Sequence, residues 1–178
     1  MKQPLGKPGR GYAPWVALAG ILTLAACTSL GPLMLEADAT LLPTHGGSVR
    51  GTVSLVERAD GVQVIYNLAG LMPNSSHALH IHEQGDCNAL DASSAGPIFS
   101  PNALRLKRGA VPDGALGTVR ADINGVATGF LVARYLTLDG INSVVGRAVI
   151  VHRDEDQDDG TPDLGAGPAL ACGVLRAP

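Results

Sequence analysis

Five histidines, at positions 45, 77, 80, 82 and 152, and three cysteines, at 27, 87 and 172, are the residues best suited by type to bind a metal or change redox state. Their spacing separates them. His80 and His82 lie two apart in the alternating run Ala78-Leu79-His80-Ile81-His82. On a strand both rings project to one face with α-carbons about 7 Å apart, within reach of one metal ion. His152 closes the β-branched run Arg147-Ala148-Val149-Ile150-Val151 and can meet the pair only through the fold. By spacing alone two readings stay open, a shared metal ion or a pair of ordinary surface histidines. After His152, Asp154, Glu155, Asp156, Asp158, Asp159 and Asp163 place six acids within ten residues. Gly160 arrives one position late for a calcium loop of the Asp-x-Asp-x-Asp-Gly type, so the stretch reads as a solvated acidic loop.

Such ligands need strands beneath them, and the chain supplies strand patterns. Of its 178 residues 46% are hydrophobic, too many for disorder, while 23 glycines and 12 prolines interrupt helical periods. In Ser48 to Val56, residues 49, 53 and 55 share one face; Ala59-Asp60-Gly61 turns the chain and Val62 to Tyr66 alternates back, which predicts a hairpin. Met72-Pro73-Asn74-Ser75 is a turn before the strand that carries His80 and His82. Thr118 to Ile123, Asn124-Gly125 and Val126 to Leu131 predict a second hairpin, and Gly146 to His152 a strand buried on both faces. Seven or eight strands so spaced predict an all-β sandwich or barrel. The net charge of -3 offers no basic footprint for nucleic acid.

The N-terminus reads as an export signal. Lys2, Lys7 and Arg10 precede an apolar run from Ala13 to Ala26 that is short of the roughly 20 residues a spanning helix needs. Leu24-Ala25-Ala26-Cys27 resembles the bacterial lipoprotein cleavage box, which makes Cys27 the acylated first residue of the mature chain; ordinary secretory cleavage near Ala26 is the alternative. Thr28 follows instead of an inner-membrane retention aspartate, so the expected location is the bacterial cell envelope, lipid-anchored at the outer membrane and facing the periplasm. Residues 1–26 are then the signal, 27–45 a tether containing Pro32 and Pro43, and 46–178 the folded domain. Removing the signal deletes three positive charges and no acid, moving the net charge from -3 to -6. With Cys27 assigned to lipid, Cys87 and Cys172 most simply pair, two reduced buried thiols being the alternative. A bridge closing so long a loop is worth roughly 4 kcal/mol.

Longer runs carry a family resemblance. His77-Ala78-Leu79-His80-Ile81-His82-Glu83-Gln84-Gly85-Asp86-Cys87 resembles the copper-site strand of the copper/zinc superoxide dismutases. Val145 to His152 is similar to that family's strand ending in a further copper histidine, and Leu170-Ala171-Cys172-Gly173-Val174 to its disulfide-bearing last strand. Ser94-Ala95-Gly96-Pro97 and Ser100-Pro101 flank what resembles its metal loop. The resemblance covers about residues 46–176 and implies an eight-stranded Greek-key β-barrel, an immunoglobulin-like sandwich. It implies His80, His82 and His152 as copper ligands, a hydrogen-bonding role inside the fold for His77, and the Cys87–Cys172 bridge. Asp163-Leu164-Gly165 resembles the family's Asp-Leu-Gly, which implies that Asp163 supports the ligands from behind.

The departures from the family pattern carry as much. Ile98 stands where the imidazole bridging copper and zinc would be, and Arg108 where the next zinc histidine would be. For the remaining zinc ligands Asp113 is the one candidate and no histidine follows, so a zinc site is not expected, because neither isoleucine nor a guanidinium ligates. Ala169 or Pro168 replaces the arginine that docks superoxide. His45 could supply a fourth copper ligand or be an exposed tether histidine. Three imidazoles without a fourth suit one copper ion held as Cu(I). The expected function is a copper-binding envelope lipoprotein serving copper sequestration, delivery or tolerance, with a copper-handling protein as a possible partner and weak or no dismutase activity. The alternatives are a zinc-independent copper superoxide dismutase and a metal-free interaction module on the same barrel.

Overall fold

The computed structural model describes residue 2 and residues 34–44, 46–101, 111–157 and 164–178. Eight strands follow one another: β1 (Glu36–Pro43), β2 (Arg50–Arg58), β3 (Gly61–Ala69), β4 (Ser76–His82), β5 (Ala115–Arg120), β6 (Val126–Ala133), β7 (Ala148–His152) and β8 (Ala169–Val174). A single 3-10 turn at Ser93–Ala95 is the only helical element among the described residues. The strands form one antiparallel sheet in the order β5-β4-β7-β8-β1-β2-β3-β6, curled into the Greek-key barrel that the family resemblance implies. Two four-stranded halves face each other, β1-β2-β3-β6 and β5-β4-β7-β8. They join where the end of β1 pairs with β8 through Leu42↔Cys172 and Pro43↔Ala171.

Alternation builds the core. Ala37, Ala39 and Leu41 of β1, Val53 and Leu55 of β2, and Val62, Val64 and Leu68 of β3 point inward against Leu79 and Ile81 of β4 and Val149 and Val151 of β7. The side chains are small and aliphatic, and each is removed from water almost completely. β7 is buried on both faces, as its unbroken β-branched run predicts. Its other face, Ala148 and Ile150, packs with Ala92, Ala95 and Cys172 beneath the loop that follows β4. The outer surface of the β4-β7-β8 half is therefore roofed over, and that roof is where the histidines lie.

The structure differs from the sequence reading in two places. β1 falls inside the stretch read as tether, and its first two inward positions are alanines, whose weak apolar signal alternates with Glu36, Asp38 and Thr40 before Leu41. The barrel thus begins ahead of residue 46. The second predicted hairpin is not one. β5 pairs only with β4, and β6 pairs with β3 over the full register from Val62↔Ala133 to Ala69↔Val126. The Asn124-Gly125 turn instead passes the chain from one half of the barrel to the other. The Asp122 carboxylate accepts from the backbone of Asn124 at 2.8 Å and of Val126 at 2.9 Å, and Gly125 holds φ at 73°. Residues 1–26 apart from Lys2, together with Cys27, His45, Arg108 and Asp163, lie outside the described residues.

Cys87 and Cys172 are bonded, with α-carbons 5.8 Å apart, and fix the loop after β4 to the last strand. Two residues earlier the same loop runs so close to the turn before β7 that a Cβ on Gly85 would overlap the carbonyl oxygen of Gly146. Replacing Gly85 with Ala should therefore destabilise the barrel by about 1–3 kcal/mol, the usual cost of forcing extra atoms into a packed site. Urea unfolding followed by circular dichroism checks this, and an unchanged midpoint would show that the loop can move aside.

Candidate metal centre

Three of the five histidines converge. His80 and His82 project from the outer face of β4, alternating with the core residues Leu79 and Ile81, and His152 ends the neighbouring β7. A register shift between Val151 and His152 marks where β7 leaves its ladder with β8. One ring nitrogen from each histidine lies within 4.8 Å of the other two. The ring centroids are 4.7 Å apart for His80 and His152, 5.4 Å for His82 and His152, and 6.1 Å for His80 and His82. All three side chains are buried, His80 completely.

The hydrogen-bond partners fix which nitrogens are free. Nδ1 of His82 lies 2.7 Å from the carbonyl oxygen of Gly96, and Nδ1 of His152 lies 2.9 Å from that of Gly167. A carbonyl only accepts, so each Nδ1–H donates and each neutral ring keeps its lone pair on Nε2. Those two Nε2 atoms stand 3.2 Å apart. Nε2 of His80 lies 2.7 Å from Oδ1 of Asp156, again an acceptor, which leaves the lone pair on Nδ1. That Nδ1 is buried without a partner.

Three lone pairs thus face one small space with no proton donor among them. Burial pushes the pKa of His152 down to about 4, helped by the neighbouring His80. Burial also lowers His82, partly offset by its bond to the Gly96 carbonyl. The His82 and His152 rings are therefore uncharged at neutral pH and ready to ligate. Nitrogens sharing a metal at about 2.0–2.1 Å stand roughly 3.3–3.6 Å from one another, close to the Nε2 separation found here. The site fits a metal ion held by His80 through Nδ1 and by His82 and His152 through Nε2. Imidazole donors suit copper.

His77 does not join them. It is buried, with Nε2 against the hydroxyl of Ser75 and Nδ1 3.0 Å from the backbone oxygen of His152. It thus holds the backbone of a ligand and not an ion. Asp156 is the residue that the sequence reading passed over. Its place within the acidic run, four residues after His152, was the available signal, and the carbonyls of Gly96 and Gly167 carry no side-chain signal at all. Ile98 is buried beside the site, its backbone bridged to His82, and Ala169 pairs with His152 across β7 and β8.

A Greek-key barrel with three buried imidazoles aimed at one point defines a β-barrel metalloprotein. Residues 49–175 match the copper/zinc superoxide dismutases, and the chain belongs to that family. It is 39% identical over 140 residues to the protein named superoxide dismutase [Cu-Zn] of Yarrowia lipolytica, covering 71% of this chain and 89% of that protein. It is 36% identical to the corresponding protein of Candida glabrata and 37% identical to that of Saccharomyces cerevisiae, covering in each case 80% of this chain and 97% of the relative.

Two outcomes follow from this geometry. Asp156→Ala removes the acceptor that fixes the His80 ring among the described residues, and loss of such a support typically weakens metal affinity about 10–100-fold. Competition against a chelator of known affinity measures it, and an unchanged dissociation constant would show that packing alone orients the ring. The metal-free protein should also lose stability in acid. An unfolded His152 takes up a proton near the ordinary 6.5, whereas the folded one resists until about pH 4. The unfolded chain binds more protons between those values, so stability is full above pH 6.5, falls through the window and levels off below it. Thermal midpoints of metal-free wild type and His152→Gln from pH 7 to 4 check the sign, the variant showing the shallower decline.

Proposed function

We propose that this chain is a copper-binding lipoprotein of the bacterial cell envelope that sequesters, delivers or confers tolerance to copper, with weak or no dismutase activity. The observation that carries this reading is the set of three facing lone pairs beside a buried Ile98, at the position where the family's bridging imidazole is expected. Three imidazole nitrogens in a site closed on that side by an alkyl group favour one Cu(I) ion over Cu(II), which prefers a fourth tetragonal donor. The chain then holds no zinc. Ile98 also cannot take up or release a proton, so the second half of a dismutation loses a proton carrier. Ala169 offers no charge to dock an anion, and a mature chain of net charge -6 repels one. Cys27 carries the lipid that holds the protein at the outer membrane, facing the periplasm, where a soluble copper-handling protein can reach it.

A second reading, a zinc-independent copper superoxide dismutase on the same three histidines, is favoured by the names of the relatives. One series of measurements separates the two. The full chain is loaded with Cu(I), freed of loose copper and assayed for metal content and for superoxide dismutation. Stoichiometric copper that disappears in His80→Ala, His82→Ala and His152→Ala, with dismutation at background, is the expected result. Copper retained in all three variants would end the proposal, and strong dismutation by the loaded wild type would favour the second reading.

A further inference from the structure

We propose that the outer face of the β2-β3-β6 sheet rests on the bilayer that holds the lipid anchor, so that the three-histidine site faces away from the membrane. The proposal builds on the acylation of Cys27 read above and adds where the barrel sits once anchored. Its first support is the length of chain available. β1 begins at Glu36, and Met34 already lies against the barrel, its sulfur 3.8 Å from the guanidinium of Arg58 at the end of β2. Six residues, and so seven Cα–Cα steps, separate Cys27 from Met34. Fully extended they span at most about 25 Å, so the end of the barrel at Met34 is held close to the headgroups whatever path the linker takes.

The second support is what that end presents. Inward-facing residues of these strands are Val53, Leu55, Val62, Val64 and Ala127, so their alternates point outward. In the outward rows Ile65 lies opposite Phe130, and Gln63 lies opposite both Val56 and Val132. Ile65, Phe130 and Val132 are exposed by 42%, 62% and 43% and form an apolar patch on β3 and β6, while Met34, exposed by 47%, lies on the β1 side of the same face beyond Arg58 and Gln63. Exposed apolar side chains that cluster mark an interaction surface, whereas scattered ones do not. Arg58 joins the group, while Glu36, Asp38 and Asp60 lie along its β1 edge and at the β2-β3 turn. With charges mixed, apolar insertion and the short linker do the holding, and docking does not require anionic lipid.

The third support is where the histidines lie. They occupy the outer face of the opposite half of the barrel, on β4 and β7. Two packed sheets separate the faces, and sheets in a sandwich lie about 10 Å apart. A barrel lying on its β2-β3-β6 face turns the metal site toward the aqueous space, where a soluble donor or acceptor of copper approaches.

The test uses the mature lipidated chain, from which the signal has been removed, reconstituted into phosphatidylcholine vesicles. Tryptophan occurs once in the sequence, at position 15 within the signal, so Phe130→Trp and Val132→Trp give single reporters on the proposed face. Leu90→Trp, an exposed position beside the disulfide on the other half of the barrel, gives the control. Unchanged circular dichroism is required of each. The expected result is a blue shift and severalfold stronger quenching by brominated phosphatidylcholine at positions 130 and 132 than at 90. Equal quenching at all three positions, or quenching by aqueous iodide alone, overturns the proposal. Shielding of position 130 from iodide without bromine quenching, in a protein that sediments as a dimer, also overturns it and assigns the face to a second copy. Mass spectrometry of the mature N-terminus keeps the two readings apart. Absence of acyl chains on Cys27 removes the anchor itself, whereas acylated protein with unquenched reporters removes only the docking.

Discussion

Two uncharged imidazole nitrogens, Nε2 of His82 and Nε2 of His152, are held 3.2 Å apart with a lone pair on each and no proton to share. In water such atoms would each find a donor. Here both rings are buried, and a polar atom buried without a partner costs on the order of 1–3 kcal/mol. The unpartnered Nδ1 of His80 adds a third. Protonating a ring would relieve the contact, but burial opposes the charge, which is why His152 is held down to about 4. A cation placed among the three nitrogens satisfies all of them at once. The metal-free site is thus an arrangement that the surrounding fold must impose, and much of the rest of the structure is explained by what imposes it.

Each ring is pinned from behind by a separate segment. Gly96 lies in the loop after β4, Gly167 in the loop before β8, and Asp156 directly after β7. None of these segments forms a strand, so their positions depend on other contacts. The disulfide to β8 holds the first loop, assisted by Arg147, which donates to the carbonyl of Glu83 at 2.7 Å and stacks 3.7 Å over the ring of Phe99. The backbone of Asp154 holds the second, donating to Ala166 and accepting from Ala78 of β4. Ring orientation therefore couples two loops through one pair of strands, and a disturbance in either loop reaches the nitrogens.

What the sequence made legible follows from how local each signal is. His80 and His82 share a face because alternation on one strand puts them there, and the runs around His152 and Cys172 are continuous. Other features were set at a distance. β1 was hidden because the inward side chains in Glu36 to Pro43 begin with alanines, and only Leu41 adds bulk. The Asn124-Gly125 turn obeyed its local chemistry, yet its partner strands were chosen by the core. The face of β6 bearing Ala127, Leu131 and Ala133 finds an eight-residue register with β3, and β5 is already committed to β4. Asp156 was masked by its neighbours, since six acids in ten residues read alike until the fold turns one toward His80.

The same distinction between strand and loop accounts for a metal site that persists beside an isoleucine. His80, His82 and His152 sit on β4 and β7, whose inward faces carry Leu79, Ile81, Val149 and Val151, so the barrel core fixes these ligands whatever happens above them. Ile98 lies instead on a loop segment attached through its backbone: Glu83 donates to Pro97 at 2.9 Å and Phe99 donates to Ile81 at 2.8 Å. Those bonds do not involve the side chain at 98. An alkyl group there leaves the loop in place and the Gly96 carbonyl on His82, and adds apolar packing beside the rings. A loop position can thus hold an alkyl group without loosening the strand-borne histidines, and the three nitrogens on the barrel stay together.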